Sequence, residues 1–305
     1  QFGDDSWKSS SGTVYNVDFG DSGGSLLSKF QIKIATGPGQ TGTIISDWTD
    51  HAAGINAAAY TTDWELGLAN WNALAGGINY VSVRAYDNAG SVQTLADAFY
   101  VKKDTQPPAI TDNQAGDDAW RKDNTALYNI DFADAGGSLL SKFQVRASTN
   151  PGGAGPFSPD WTDNVTGINA SSYSSDWPLA TGNWSLLLSG TNYISVLVYD
   201  NAGSSTALTD AFYVKKDTSA PQVIDNQSGA DTWRKFGGTV YNVDFKDGEA
   251  GLSGAKYSAW TGPGLSGVNK IAWTDIPAVS GSSFAAGWTV DFTLLAQGTN
   301  YISVQ

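Results

Sequence analysis

The chain contains no cysteine and no methionine, one histidine, two glutamates among thirty acidic residues, and no apolar run of 18 residues. Each absence excludes something. Without cysteine there is neither a disulfide framework nor a thiolate metal site. Without a long apolar run there is no membrane-spanning helix, and no leader pattern stands at the start. The first residue is Gln, so the expectation is a processed or excised chain. The single His51 is replaced by Asn164 and Ile276 at the matching positions further along, so imidazole chemistry has one place at most; a solvated loop histidine is expected. Two glutamates also remove the usual carboxylate pair of glycoside hydrolysis unless aspartate serves both roles. The expectation is a protein without enzymatic activity.

What is abundant is aspartate and aromatic residue. Thirty acidic residues less two glutamates leave 28 Asp, against 17 basic residues, for a formal net charge of -13. Aspartate caps turns through its short side chain and is a frequent loop ligand for hard cations. The acidity and the lack of a basic stripe exclude nucleic acid as a partner. Twelve Trp, with 12% aromatic residues overall, mark a folded chain.

Landmarks recur at a period of 113 residues: Trp7, Trp120 and Trp233; Tyr15, Tyr128 and Tyr241. "GGSLLSKFQ" stands at 23–31 and again at 136–144, "NYVSVRAYDNAGS" at 79–91 returns as "NYISVLVYDNAGS" at 192–204, and "DAFYVKKDT" at 97–105 returns at 210–218. Periodicity of this kind marks an array. Three copies are expected at 1–106, 107–219 and 220–305, the first without its opening strand and the third without its last strand and the end of the strand before it, as a window of a longer array.

Within a copy, apolar residues alternate. Tyr15, Val17 and Phe19 share one face, as do Phe30, Ile32 and Ile34, and Val81, Val83 and Ala85. Strands are expected at 12–19, 28–36, 43–49, 78–86 and 95–103, with two weaker ones in 55–74, and little helix. Short alternating strands between Gly, Asn, Asp and Pro clusters give an all-β chain of three tandem immunoglobulin-like antiparallel β-sandwiches. Asn79, Asn192 and Asn300 fall in the inward register ahead of the 78–86 type strand, so each amide is expected to bond loop backbone, with Tyr80 outside.

The combination of "DSGGSLLS", "L-x-x-G-x-N", "D-N-A-G" and the "D-T-x-x-P" linker resembles the tandem bacterial immunoglobulin-like repeats of large secreted or surface-displayed proteins, over essentially the whole chain. The resemblance implies an extracellular or cell-surface stalk, fibre or adhesin arm, with neighbouring repeats as the first partners and surface glycans or other cells as further ones. Absence of cysteine suits such a place.

Two kinds of residue carry chemistry. In a sandwich of this type the loops after the first and the 78–86 type strands share a pole with the incoming linker. That would gather Asp104, Asp131, Asp134 and Asp200 at one junction, and Asp217, Asp244 and Asp247 at the next, as oxygen ligands of calcium. The competing reading has each Asp capping its own turn. Trp48, Trp161 and Trp273, each in "W-T-D", either stack on sugar rings as a carbohydrate-binding face or anchor the two sheets together. A third reading, strand donation between chains into an incomplete last copy, would make a surface filament. The doubled "GGSLLSKFQ" reads as a corner rather than a phosphate cradle, because the third copy has "GEAGLSGAKY" there, one residue longer.

Overall fold

A computed structural model of the chain describes residues 1–305 except Phe2, Asp4, Ala115 and Ala230. The chain is all-β and divides into two compact units, one made of Gln1–Gly116, Asn124–Leu187 and Tyr193–Tyr213, the other of Asp117–Asp123, Leu188–Asn192 and Val214–Gln305.

In the first copy, β1 (Trp7–Lys8), β4 (Leu27–Gly37), β5 (Thr41–Ala57), β8 (Gly77–Asp87) and β9 (Val92–Lys103) form a five-stranded sheet in the order β1-β9-β8-β4-β5. All neighbours are antiparallel except β1, which runs parallel to β9 with Trp7 opposite Lys102 and Lys8 opposite Lys103. The facing layer is built from short pieces, β2 (Val14–Tyr15) with β7 (Trp64–Glu65) and β3 (Phe19–Gly20) with β6 (Ala59–Tyr60). Alternation drives this pairing, since each strand turns one side-chain row inward. Tyr15, Phe30, Ile32, Ile34, Trp64, Val81 and Phe99 are buried in one cluster, with the Tyr15 and Phe99 rings stacked at 4.2 Å. Sandwiching such rows buries on the order of 1.5–3 kcal/mol per large apolar side chain.

The second copy repeats the arrangement. Strands β13 (Leu140–Ser148), β14 (Thr162–Ala170), β16 (Gly190–Asp200) and β17 (Ser205–Lys216) follow the same order, and β10 (Ala109–Asp112), β12 (Ile130–Ala133) and β15 (Ser172–Tyr173) face them. Strand β11 (Asp117–Arg121) runs parallel to the end of β17, with Trp120 opposite Lys215. Tyr128 stacks on Phe212 at 4.3 Å, as Tyr15 does on Phe99. In the third copy β18 (Gln222–Asp225), β19 (Val243–Lys246) and β22 (Ser283–Phe284) form one layer, and β20 (Lys256–Gly262), β21 (Ser266–Asp275) and β23 (Tyr301–Val304) the other.

Some expectations need correction. The stretch 12–19 is two short strands, not one, because it changes partner between β7 and β6. The weak region 55–74 ends in a helix, α1 (Leu68–Ala73), matched by α2 (Thr181–Leu186); each buries one Trp, Trp71 or Trp184, against its sandwich. A strand not expected from the sequence, Trp7–Lys8, lies beside β9; it is the counterpart of β11 beside β17, not of the opening strand β10. His51 is no solvated loop residue: it lies in β5, half-buried, 5.1 Å from the Phe30 ring and 4.6 Å from Trp64, and burial lowers its pKa.

The inward asparagines behave as expected. Asn79, fully buried, accepts from Ala75 N–H at 3.1 Å and donates to Ala75 C=O at 2.9 Å, closing the turn before β8. Asn192 makes the same pair with Leu188 and Asn300 with Ala296.

Candidate functional site

Strand β9 ends at Lys103, and the next residue, Asp104, leads into the linker before Pro107. Strand β12 ends at Ala133, and Asp134 opens the Gly-Gly-Ser corner. Asp200 is the last residue of β16, ahead of the tight turn to β17. These three ends meet. Asp104, Asp134 and Asp200 are buried, with relative exposures of 1%, 7% and 2%, and each brings a carboxylate oxygen to within 4.8 Å of the others.

Backbone amides fix all three. Asp104 accepts from Gln106 N–H at 2.9 Å through one oxygen and from Ser138 N–H at 3.0 Å through the other. Asp134 accepts from Gly136 N–H at 3.1 Å and Leu139 N–H at 2.7 Å. Asp200 accepts from Ser204 N–H at 2.8 Å, while its other oxygen is buried with no hydrogen-bond partner. The turn-capping role therefore exists, and it leaves each of the three carboxylates with acceptor capacity to spare. Gly136 is required here: a Cβ at that position would run into the Asp104 carboxylate.

No ion pair neutralises the cluster among the described residues. The adjacent Lys103 ammonium turns away and donates to Trp71 C=O at 2.9 Å and Leu74 C=O at 3.0 Å at the end of α1, and burial lowers its pKa. Burial raises the pKa of Asp200, and the Asp104 and Asp134 charges add to that, against hydrogen bonds from the turn that lower it. Three buried carboxylates with an orphaned oxygen fit a hard cation. Two oxygens about 2.4 Å from one calcium ion are at most about 4.8 Å apart, and calcium takes six to eight such ligands.

The remaining sequence-derived aspartates divide. Asp131 stands apart from the cluster: it alternates with Ile130 and Phe132 in β12, so its side chain leaves by the outer face and accepts from Asn113 Nδ2 at 3.0 Å. Asp244 does the same with Asn226 at 2.9 Å. Asp217 and Asp247 are both buried; Asp217 accepts from Ser219 N–H and, at 2.9 Å, from Ala250 N–H, and Asp247 from Glu249 N–H at 3.2 Å. This repeats the linker-to-corner bond of Asp104 to Ser138. Asn300 matches Asn192, an offset of 108, so the position matching Asp200 would be 308, past Gln305.

The tryptophans also sort into two sets. Trp64, Trp177 and Trp288 are the sheet-to-sheet anchors, buried to 4%, 1% and 5% exposure, each with its indole N–H on a backbone carbonyl of the facing layer, Val17, Ile130 and Val243. Trp48 and Trp161 are half-buried outside the core, with the Arg84 guanidinium 4.3 Å over one ring and that of Arg146 4.5 Å over the other, while Trp273 is 36% exposed. The arginines come from different strands, β8 and β13, yet cover the same tryptophan position.

No family model matches the chain, and no curated protein matches it in sequence. Solved structures do. A tetra-tandem repeat from the extending region of a large adhesion protein is 15% identical with a TM-score of 0.31, covering 97% of this chain and 68% of its own. Fibronectin(III)-like modules of Clostridium thermocellum CbhA are 15% identical with a TM-score of 0.29, over 70% of this chain and 90% of theirs. A Ca²⁺-stabilised adhesin of an Antarctic bacterium that binds ice is 14% identical with a TM-score of 0.28, over 95% of this chain and 67% of its own. At such scores the likeness carries no function across.

Proposed function

We propose that the chain is a non-enzymatic structural or adhesive array of three immunoglobulin-like repeats, 1–106, 107–219 and 220–305, at an extracellular or cell-surface location, in which calcium clamps one repeat to the next. The observation that supports this reading is the buried Asp104, Asp134 and Asp200 cluster, whose members come from the exit of one repeat and from two loops of the following one. Asp104, Asp134 and Asp200 would hold the ion at the first junction, and Asp217 with Asp247 are the matching residues at the second. The ion supplies the positive charge that the buried carboxylates lack, and so ties the linker to the repeat it enters. Trp7 and Ser9 of the first repeat brace the same junction: Trp7 lies against Gly137, and Ser9 Oγ donates to Ala202 C=O at 2.9 Å.

Glycan stacking by Trp48 and Trp161 is the weaker reading, because a guanidinium already lies over each ring. Asp131 and Asp244 are not part of the proposed ion sites. Calorimetric titration of the full chain with calcium, and melting with calcium or chelator, tests the proposal. Heat of binding with a raised transition is expected; no heat and an unchanged transition would sink it.

A further inference from the structure

Ser138 does something in this cluster that its sequence twin does not do. Its backbone is held on both sides, the N–H on Asp104 at 3.0 Å and the C=O by Asn201 Nδ2 at 2.9 Å. Its side chain is 1% exposed, and its hydroxyl oxygen is buried without any hydrogen-bond partner. Buried hydroxyls are rarely left so, since nothing then replaces the lost water. The second orphan of the neighbourhood is the free oxygen of Asp200. The two do not bond each other. In the first repeat the equivalent Ser25 donates to Asp21 at 3.1 Å, and its hydroxyl is used up.

We propose that the Ser138 hydroxyl oxygen is a fourth protein ligand, joining Asp104, Asp134 and Asp200 on a divalent hard cation of the calcium type; the inference rests on the calcium reading above. One cation accounts for both orphans at once, since it takes the anionic oxygen of Asp200 and the neutral lone pair of Ser138 in the same coordination sphere. A neutral fourth oxygen adds a ligand without a fourth buried negative charge. A water bridging Ser138 and Asp200 is the competing arrangement, and it makes the opposite prediction for ion affinity.

The test uses the full chain and calcium ion alone, titrated calorimetrically, with Ser138→Ala, Ser138→Cys, Ser138→Thr and Ser25→Ala. Loss of the hydroxyl in Ser138→Ala is expected to weaken calcium about 10-fold, the scale on which shells around metal sites act. Ser138→Cys, close in shape but with a soft sulfur, should lose as much; Ser138→Thr should keep wild-type affinity, and Ser25→Ala should change nothing. Melting adds a signature of opposite signs: the chelated Ser138→Ala protein melts no lower than wild type, while the calcium-loaded one melts lower. Wild-type affinity in both Ser138→Ala and Ser138→Cys would overturn the proposal and leave water as the bridge. Absence of calcium binding by the wild-type chain would instead remove the reading on which it rests.

Discussion

The poles of the first and second repeats are written in nearly the same letters, "DFGDSGGSLLS" with "YDNAGS" and "DFADAGGSLLS" with "YDNAGS", yet the matching Asp87 and Asp200 have their pKa values shifted in opposite directions. In the first, Asp21 caps Gly23 N–H at 2.9 Å and takes the Ser25 hydroxyl, and Asp87 caps Ser91 N–H at 2.8 Å. For Asp87, what burial adds is outweighed by hydrogen bonds from Ser91, Ser25 and Ala89, and its pKa is lowered. Its twin Asp200 is buried deeper, faces Asp104 and Asp134, and its pKa is raised. The added element is Asp104, delivered by the strand that precedes the second pole. On the proposed calcium reading, the loops and the arriving linker complete the ion site together.

The largest effect is expected from removing that added element. Asp104→Ala should turn the second pole into a copy of the first, abolishing the calcium-dependent rise in melting temperature. At 100 times the dissociation constant that rise corresponds to about 2.7 kcal/mol, and differential scanning calorimetry with and without chelator reads it.

Next comes Asp200→Asn, which keeps an acceptor for Ser204 but removes the charge. A carboxyl whose folded pKa lies above its unfolded value contributes stability that is complete below the unfolded pKa and is lost as pH rises through the folded one. At neutral pH that contribution is gone, so the metal-free Asn variant should melt higher than the metal-free wild type and lose that advantage in acid, while its calcium response disappears. Asp87→Asn should show neither effect. A higher-melting metal-free Asp87→Asn would break the comparison.

The smallest effect is steric. Both Gly24 and Gly137 have positive φ, 83° and 102°, so alanine is strained at either. A Cβ on Gly137 would also stand 3.2 Å from Trp7 Cη2, while one on Gly24 meets nothing within 4 Å. Gly137→Ala should cost more than Gly24→Ala, by roughly 1 kcal/mol or less, in urea denaturation.

The sequence carried much of this, for reasons that can be named. Alternation and the 113-residue period made the sandwiches legible, and sandwich topology then sent Asp104, Asp134 and Asp200 to one pole. Asp131 shared the motif but stands one step inside the strand, where alternation turns it to the outer face. Ser138 was invisible because Ser25 is the same letter in the same peptide with a different bond. The strands at Trp7–Lys8 and Asp117–Arg121 are too short for a period to register, and α1 and α2, six residues each, fall below the length at which helical spacing shows. Which tryptophan set is core could not be told from equal spacing alone, since both sets recur once per repeat.

Asp104 also makes adjacency the unit that matters. On the proposed reading, a chain cut after residue 106 would leave Asp104 on one piece and Asp134 with Asp200 on the other, and neither would hold the ion. Bound ions then count joints rather than repeats, and the smallest piece able to report the property is a pair.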